Sequence, residues 1–167
     1  MDESSTGPAV FCGPIRPPPA YSQEVHAAAF LTVAGLQLTL PAGWHGVTFD
    51  PRLSACDPNT LAVVGTAPPR VGSNGWARPG RGQVLVFVEE DHVNKPVGGL
   101  RRPARFQIPW TRFQRLEGCC GLSAERGATI WFRQRRRYLG FLVYAGPGVS
   151  TATRRATEQL LDSLVVR

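Results

Sequence analysis

The chain has 167 residues, 43% of them apolar and 19% charged, with a formal net charge of +7. That is enough chain to bury one core, in the composition of an ordinary globular domain. No apolar run approaches the roughly eighteen residues of a membrane-spanning helix. GxSxG, HExxH and GxxxxGK[ST] patterns are absent, so the chemistries those motifs carry have no sequence support.

Taken in order, residues 1–24 are rich in Gly, Ser and Pro, include Arg16-Pro17-Pro18-Pro19, and hold few large apolar side chains. They read as a flexible, polyproline-like leader ahead of a single domain over 25–167. The acidic start has no apolar segment behind it, so no signal peptide is visible. The expected compartment is the cell envelope if an upstream leader was removed, and the cytoplasm otherwise.

Ala29–Leu40 alternates Phe30, Leu31 and Val33 with Leu36, Leu38 and Leu40 around Ala34-Gly35, a hairpin with a two-residue turn. Pro41-Ala42-Gly43-Trp44 closes it and sets an indole at the sheet edge. Thr60–Gly65 and Gln83–Val88 are runs of buried-strand composition. The Gly/Pro-rich loop between them, Thr66–Gly82, is long enough to be a functional candidate and carries Trp76. Glu89-Glu90-Asp91-His92 follows at a strand exit. Successive strand residues alternate faces, so at most two of these can converge as acid–base or metal groups. Arg105–Ile108 and Arg112–Leu116 alternate charged or polar with apolar residues, as half-buried strands do.

The last forty residues are the most legible. Ala128–Arg133 and Tyr138–Ala145 are β-branched and aromatic, joined by a charged tip, Gln134-Arg135-Arg136-Arg137. Tyr138, Gly140, Leu142 and Tyr144 face one way and Leu139, Phe141 and Val143 the other. Both faces are apolar, which predicts a central strand covered on both sides. Gly146-Pro147-Gly148 breaks it, and Ser150 or Thr151 can cap a helix. Ala152, Ala156, Leu160, Leu161 and Leu164 form the buried stripe of that helix, with Arg154, Arg155 and Glu158 opposite. Leu164-Val165-Val166 suits a short edge strand. Seven or eight strands and one helix predict an α+β fold, mainly antiparallel sheet with the C-terminal helix packed on it.

Charge is uneven along the chain. Residues 1–100 carry five Arg and one Lys against eight acids, a net −2, and residues 101–167 carry thirteen Arg against four acids, a net +9. The basic candidates for an anionic partner are Arg101, Arg102, Arg105, Arg112, Arg115 and the tip Arg135, Arg136 and Arg137. An acidic polymer, an anionic lipid surface or an acidic protein would answer to them. The cysteines, Cys12, Cys56, Cys119 and Cys120, have no zinc-binding spacing. A disulfide from Cys56 to Cys119 or Cys120, a bond to Cys12, and four free thiols all stay open. Nothing calls for a cofactor or a metal.

Two stretches resemble known families. Arg137, Gly140, Phe141, Leu142 and Tyr144 match the central-strand motif of RNA recognition motif domains, with Tyr138 in place of its glycine and Leu139 in place of one aromatic. That resemblance implies a single-stranded nucleic-acid binder stacking bases on Phe141 and Tyr144. The order of hairpin, Pro41–Trp44 corner, antiparallel strands, hairpin, helix ending Leu160-Leu161-Asp162-Ser163-Leu164, and terminal strand is similar, over about residues 25–167, to PsbP-like α/β sandwiches. Among these it looks closest to envelope-associated bacterial domains. It implies a non-enzymatic binding or assembly module and transfers no catalytic residue. A small hydrolase built on Glu89–His92 is the remaining alternative.

Overall fold

A computed structural model describes residues 30–50, 58–72, 75–92, 100–116 and 125–167. The proposed leader and all four cysteines lie outside the described residues, and with them every disulfide candidate. The first hairpin pairs Phe30–Val33 (β1) with Leu36–Thr39 (β2). Its turn residues Ala34 and Gly35 have φ of 47° and 75°. Positive φ at both positions matches the twist of the flanking strands. His45–Thr48 (β3), Asn59–Gly65 (β4), Val71–Gly72 (β5), Gly75–Trp76 (β6), Val84–Asp91 (β7) and Gln114–Arg115 (β8) follow. Arg126–Gln134 (β9), Arg137–Ala145 (β10), the helix Thr151–Asp162 (α1) and Val165–Val166 (β11) complete the chain.

The fold is α+β. A six-stranded antiparallel sheet runs β3-β4-β7-β10-β9-β8, and a second sheet runs β1-β2-β11. Strand β10 lies between β7 and β9, the central place its two apolar faces predict. On the inner face, Leu139, Phe141 and Val143 of β10 join Val84, Val86 and Val88 of β7 in the main core. Leu160, Leu161 and Leu164 at the helix end, and Leu36, Leu38 and Val166 of the small sheet, close that core from the other side. A register shift between Thr60 and Ala62 lets successive residues, Leu61 and Ala62, enter the same core. The outer face carries a second, smaller cluster of Val63, Leu85, Phe87 and Tyr144.

Helix α1 starts at Ser150, whose hydroxyl accepts from the Thr153 N–H at 3.1 Å. Leu160, Leu161 and Leu164 of the predicted stripe are buried and Thr157 joins them, whereas Ala156 is only half-buried and Ala152 is exposed. The face expected in solvent is partly covered. The Glu158 carboxylate accepts from the Ile108 N–H at 3.3 Å and from the Trp110 indole at 3.0 Å, and the Arg154 guanidinium lies over the Trp110 ring.

That covering segment explains a second departure. Residues 105–108, expected as a strand, bury Phe106 and Ile108 and expose Arg105 and Gln107, but they join no sheet. The Phe106 N–H donates to the Asp162 carboxylate at 2.7 Å and the Ile108 N–H to Glu158. Helix side chains thus take the place of a neighbouring strand, and the two-residue alternation survives without a ladder. Of the strand expected over 112–116, only Gln114–Arg115 pairs.

Candidate functional site

The β9–β10 hairpin is longer than its apolar runs suggest, because Gln134 and Arg137 pair and leave only Arg135-Arg136 as the turn. Both turn residues are left-handed, with φ of 49° and 66°. Such a turn favours Asn-Gly, and each non-glycine residue held there costs about 1–2 kcal/mol. Beside β9 runs a segment distant in sequence. Arg101 bridges Arg133 in parallel, the Arg133 N–H donates to Leu100 O at 2.7 Å, and the Arg102 N–H donates to Arg133 O at 3.3 Å.

This pairing creates a groove of about 510 Å³ lined by Arg101, Arg102, Arg133, Gln134, Arg135 and Arg136. Arg102 is its anchor. Its guanidinium donates to Leu164 O at 2.6 Å, Asp162 O at 2.7 Å and Gln134 Oε1 at 3.2 Å. It therefore satisfies the open carbonyl of Asp162, the last residue of α1, and that of Leu164 in the chain just beyond the helix. Arg101, Arg133, Arg135 and Arg136 are exposed, and among the described residues their guanidinium groups have no hydrogen-bond or carboxylate partner.

The other basic candidates part company. Arg105, Arg112 and Arg115 are exposed and lie outside the groove. Arg137, expected at the tip as a partner-binding residue, is turned inward: Nε donates to Glu90 Oε1 at 2.7 Å, Nη2 to Glu90 Oε2 at 2.6 Å and Nη1 to Ala34 O at 2.6 Å. It ties the first hairpin to the central strands.

The aromatic candidates are corrected in the same way. Phe141 is 0% exposed and packs edge-on to Phe106 at 5.2 Å, while Tyr144, 2% exposed, packs against Phe87 at 5.5 Å. Neither ring is open to a base, because at these two positions the strand is covered, by the main core over Phe141 and by the smaller cluster over Tyr144. Trp76 sits between Phe49 and Phe87, each at 5.6 Å and nearly perpendicular, so the indole of the Gly/Pro-rich loop closes the smaller cluster.

The half-buried aromatic pair of this region is one that sequence reading passed over. Trp131 and Tyr138 stack at 5.1 Å with planes 17° apart on the outer face. Gly140 makes room for it. A Cβ there would meet three carbons of the Trp131 six-membered ring at 2.5–2.8 Å. Gly140→Ala is expected to lift the indole and lower stability by about 1–3 kcal/mol, read as a lower denaturation midpoint with a red-shifted tryptophan emission. An unmoved midpoint would show that the ring yields freely.

The acidic run divides between the two faces, as strand alternation requires. Glu90 is taken by Arg137 and lies 3.7 Å from His92 Nε2. Glu89, 2% exposed, lies on the outer face with Asp91, across from Thr60 on one side and Gly140 on the other. Burial, with the Asp91 carboxylate adding to it, pushes the Glu89 carboxyl from its ordinary 4.5 up to about 7. Burial and Asp91 likewise raise the Tyr138 hydroxyl. Among the described residues, no three His, Cys, Asp or Glu side chains converge as metal donors, and no helix is long and apolar enough to cross a membrane.

Arg133, Gln134, Trp131 and Tyr138 are thus additions to the predicted set. Alternation along 128–133, set against Tyr138–Ala145, already puts Trp131 and Arg133 on the Tyr138 face. The approach of Arg101 leaves no local trace. Comparison with protein-family models, with curated proteins and with solved structures returned no match.

Proposed function

We propose that the chain is a non-catalytic binding module that holds an anionic partner in the arginine groove. The observation that carries this reading is the convergence of four exposed guanidinium groups, from segments more than thirty residues apart, with no carboxylate among the described residues to balance them. Like charges crowded in this way repel one another, and an anion relieves that repulsion while accepting forked hydrogen bonds from arginine. The left-handed Arg135-Arg136 turn supports it further, since local strain at an exposed turn is characteristic of sites kept for binding. The resemblance to PsbP-like domains, resting on Pro41–Trp44 and Leu161–Leu164, belongs to the same proposal and adds a non-enzymatic, assembly-type role at the cell envelope.

The strain and the charge can be separated by one double substitution. Arg135→Asn with Arg136→Gly supplies the preferred turn pair and removes two groove cations. The variant is expected to melt a few degrees higher. It should also bind inorganic polyphosphate more weakly, with a salt dependence shallower by about 0.7 for each arginine removed. Unchanged affinity and an unchanged salt slope would reject the groove as the anion site.

A further inference from the structure

The groove does not end at its arginines. In register, Arg101 lies beside Arg133, and Arg133 lies directly opposite Tyr138. Residues directly opposite on neighbouring strands share a face and stand about 4.5–5.5 Å apart. Trp131, two residues before Arg133, is on the same face and stacks on Tyr138. The outer face therefore presents a short row of two guanidinium groups followed by an aromatic pair. The turn arginines Arg135 and Arg136 lie beyond the Arg133–Tyr138 pair along the strands, past the Gln134–Arg137 pair that closes the hairpin. Asp91 lies across Tyr138 from Arg133, so the acidic and basic ends of the row are on opposite sides of the phenol ring.

A ligand following this surface meets cationic forks and then π faces within one or two strand spacings. Flat headgroup surfaces do not enter a groove, and an acidic peptide offers its carboxylates without regular rings. We propose that the partner is single-stranded nucleic acid, with phosphates on Arg101, Arg133, Arg135 and Arg136 and a base against the Trp131–Tyr138 pair. This rests on the anionic-partner reading above and narrows it to one class. It differs from the platform expected of Phe141 and Tyr144, which lie in the core. Aromatic side chains that take a base contribute strongly to such binding and tolerate sequence change, whereas arginine contacts to phosphate carry its salt dependence.

The test uses the full chain, a fluorescein-labelled oligothymidylate, inorganic polyphosphate of matched charge, and vesicles containing anionic phospholipid. The oligonucleotide is expected to bind about tenfold or more tightly than polyphosphate. Tyr138→Ala should weaken oligonucleotide binding by about five- to a hundredfold and leave polyphosphate binding unchanged. Because Trp131 also covers Gly140, its contribution is read in a milder variant. Trp131→Phe should remove part of the indole quenching that the oligonucleotide causes, with the melting temperature recorded alongside. Equal affinity for the two polyanions, with no effect of Tyr138→Ala, would overturn the nucleic-acid assignment and leave the anion groove standing. Preference for the vesicles would overturn it in favour of a lipid surface. Failure to bind any of the three would remove both readings.

Discussion

Arg137→Ala is expected to be the most damaging single change among the arginines. The side chain is 20% exposed and forks onto Glu90, whose side chain is 10% exposed, so the pair is largely out of water. Removing the cation strands a mostly buried carboxylate, a loss of about 3–5 kcal/mol. At about 2–4 °C per kcal/mol for a chain of this size, the melting temperature should fall by roughly 6–20 °C. The same substitution releases the hydrogen bond to Ala34 O, which ties the turn of the first hairpin to the central strands. Arg137→Lys keeps the charge but cannot donate to both Glu90 oxygens and Ala34 from a rigid fork, so it should fall between wild type and alanine. Pairing Arg137→Ala with Glu90→Leu should recover part of the loss, since no charge is then stranded. A melting temperature within a degree of wild type for Arg137→Ala would show that water solvates Glu90 after all. The contrast with Arg135 and Arg136 is sharp: neighbours in sequence, they are expected to weaken binding when replaced and to leave the fold intact.

Glu89→Gln is expected to stabilise the protein at neutral and alkaline pH. The folded-state carboxyl holds its proton up to about pH 7, whereas in the unfolded chain it ionises near its ordinary 4.5. Between those two values the folded protein binds more protons than the unfolded one, so stability falls as pH rises through the window and levels off above it. The shift corresponds to a loss on the order of 3 kcal/mol by about pH 8. The cause is local. Glu89 has Gly140 and its overlying Trp131 ring on one side and Thr60 on the other, and the Asp91 carboxylate, on the same face of its strand, repels the ionised form. Glutamine is neutral throughout, so the variant should match wild type near pH 4 and exceed it near pH 8. Denaturant titrations at both pH values read the difference. Equal wild-type stability at the two would mean that the ionised carboxylate gains a compensating donor.

Much of the fold was legible because its determinants are local. The Ala34-Gly35 turn, the two apolar faces of Tyr138–Ala145 and the Ser150 cap each depend on neighbouring residues and on periods of two or 3.6. Alternation also divides Glu89 and Asp91 from Glu90. The 105–108 segment marks where such reading stops. Its alternation is real, but whether it is a strand depends on what receives its N–H groups, and helix carboxylates do. The site was half legible. Composition along the chain marked the basic half and the hairpin tip, yet could not separate a free arginine from one folded onto a carboxylate.

By itself, then, the amino-acid sequence determined an α+β chain with a doubly covered central strand, a capped C-terminal helix and a surplus of arginine in its last sixty-seven residues. Only the tertiary structure decided which arginines remain available. Arg137 meets Glu90, forty-seven residues away, and Arg102 meets the helix end some sixty residues on. Arg101 comes beside Arg133 through a single parallel bridge. The same step took Phe141, Tyr144 and Trp76 into packing and left Trp131 and Tyr138 on the half-open face. The physical reason is that strand periodicity states which residues share a face but not what covers that face, and an arginine's role is settled by whichever acceptor the folded chain brings within hydrogen-bond reach.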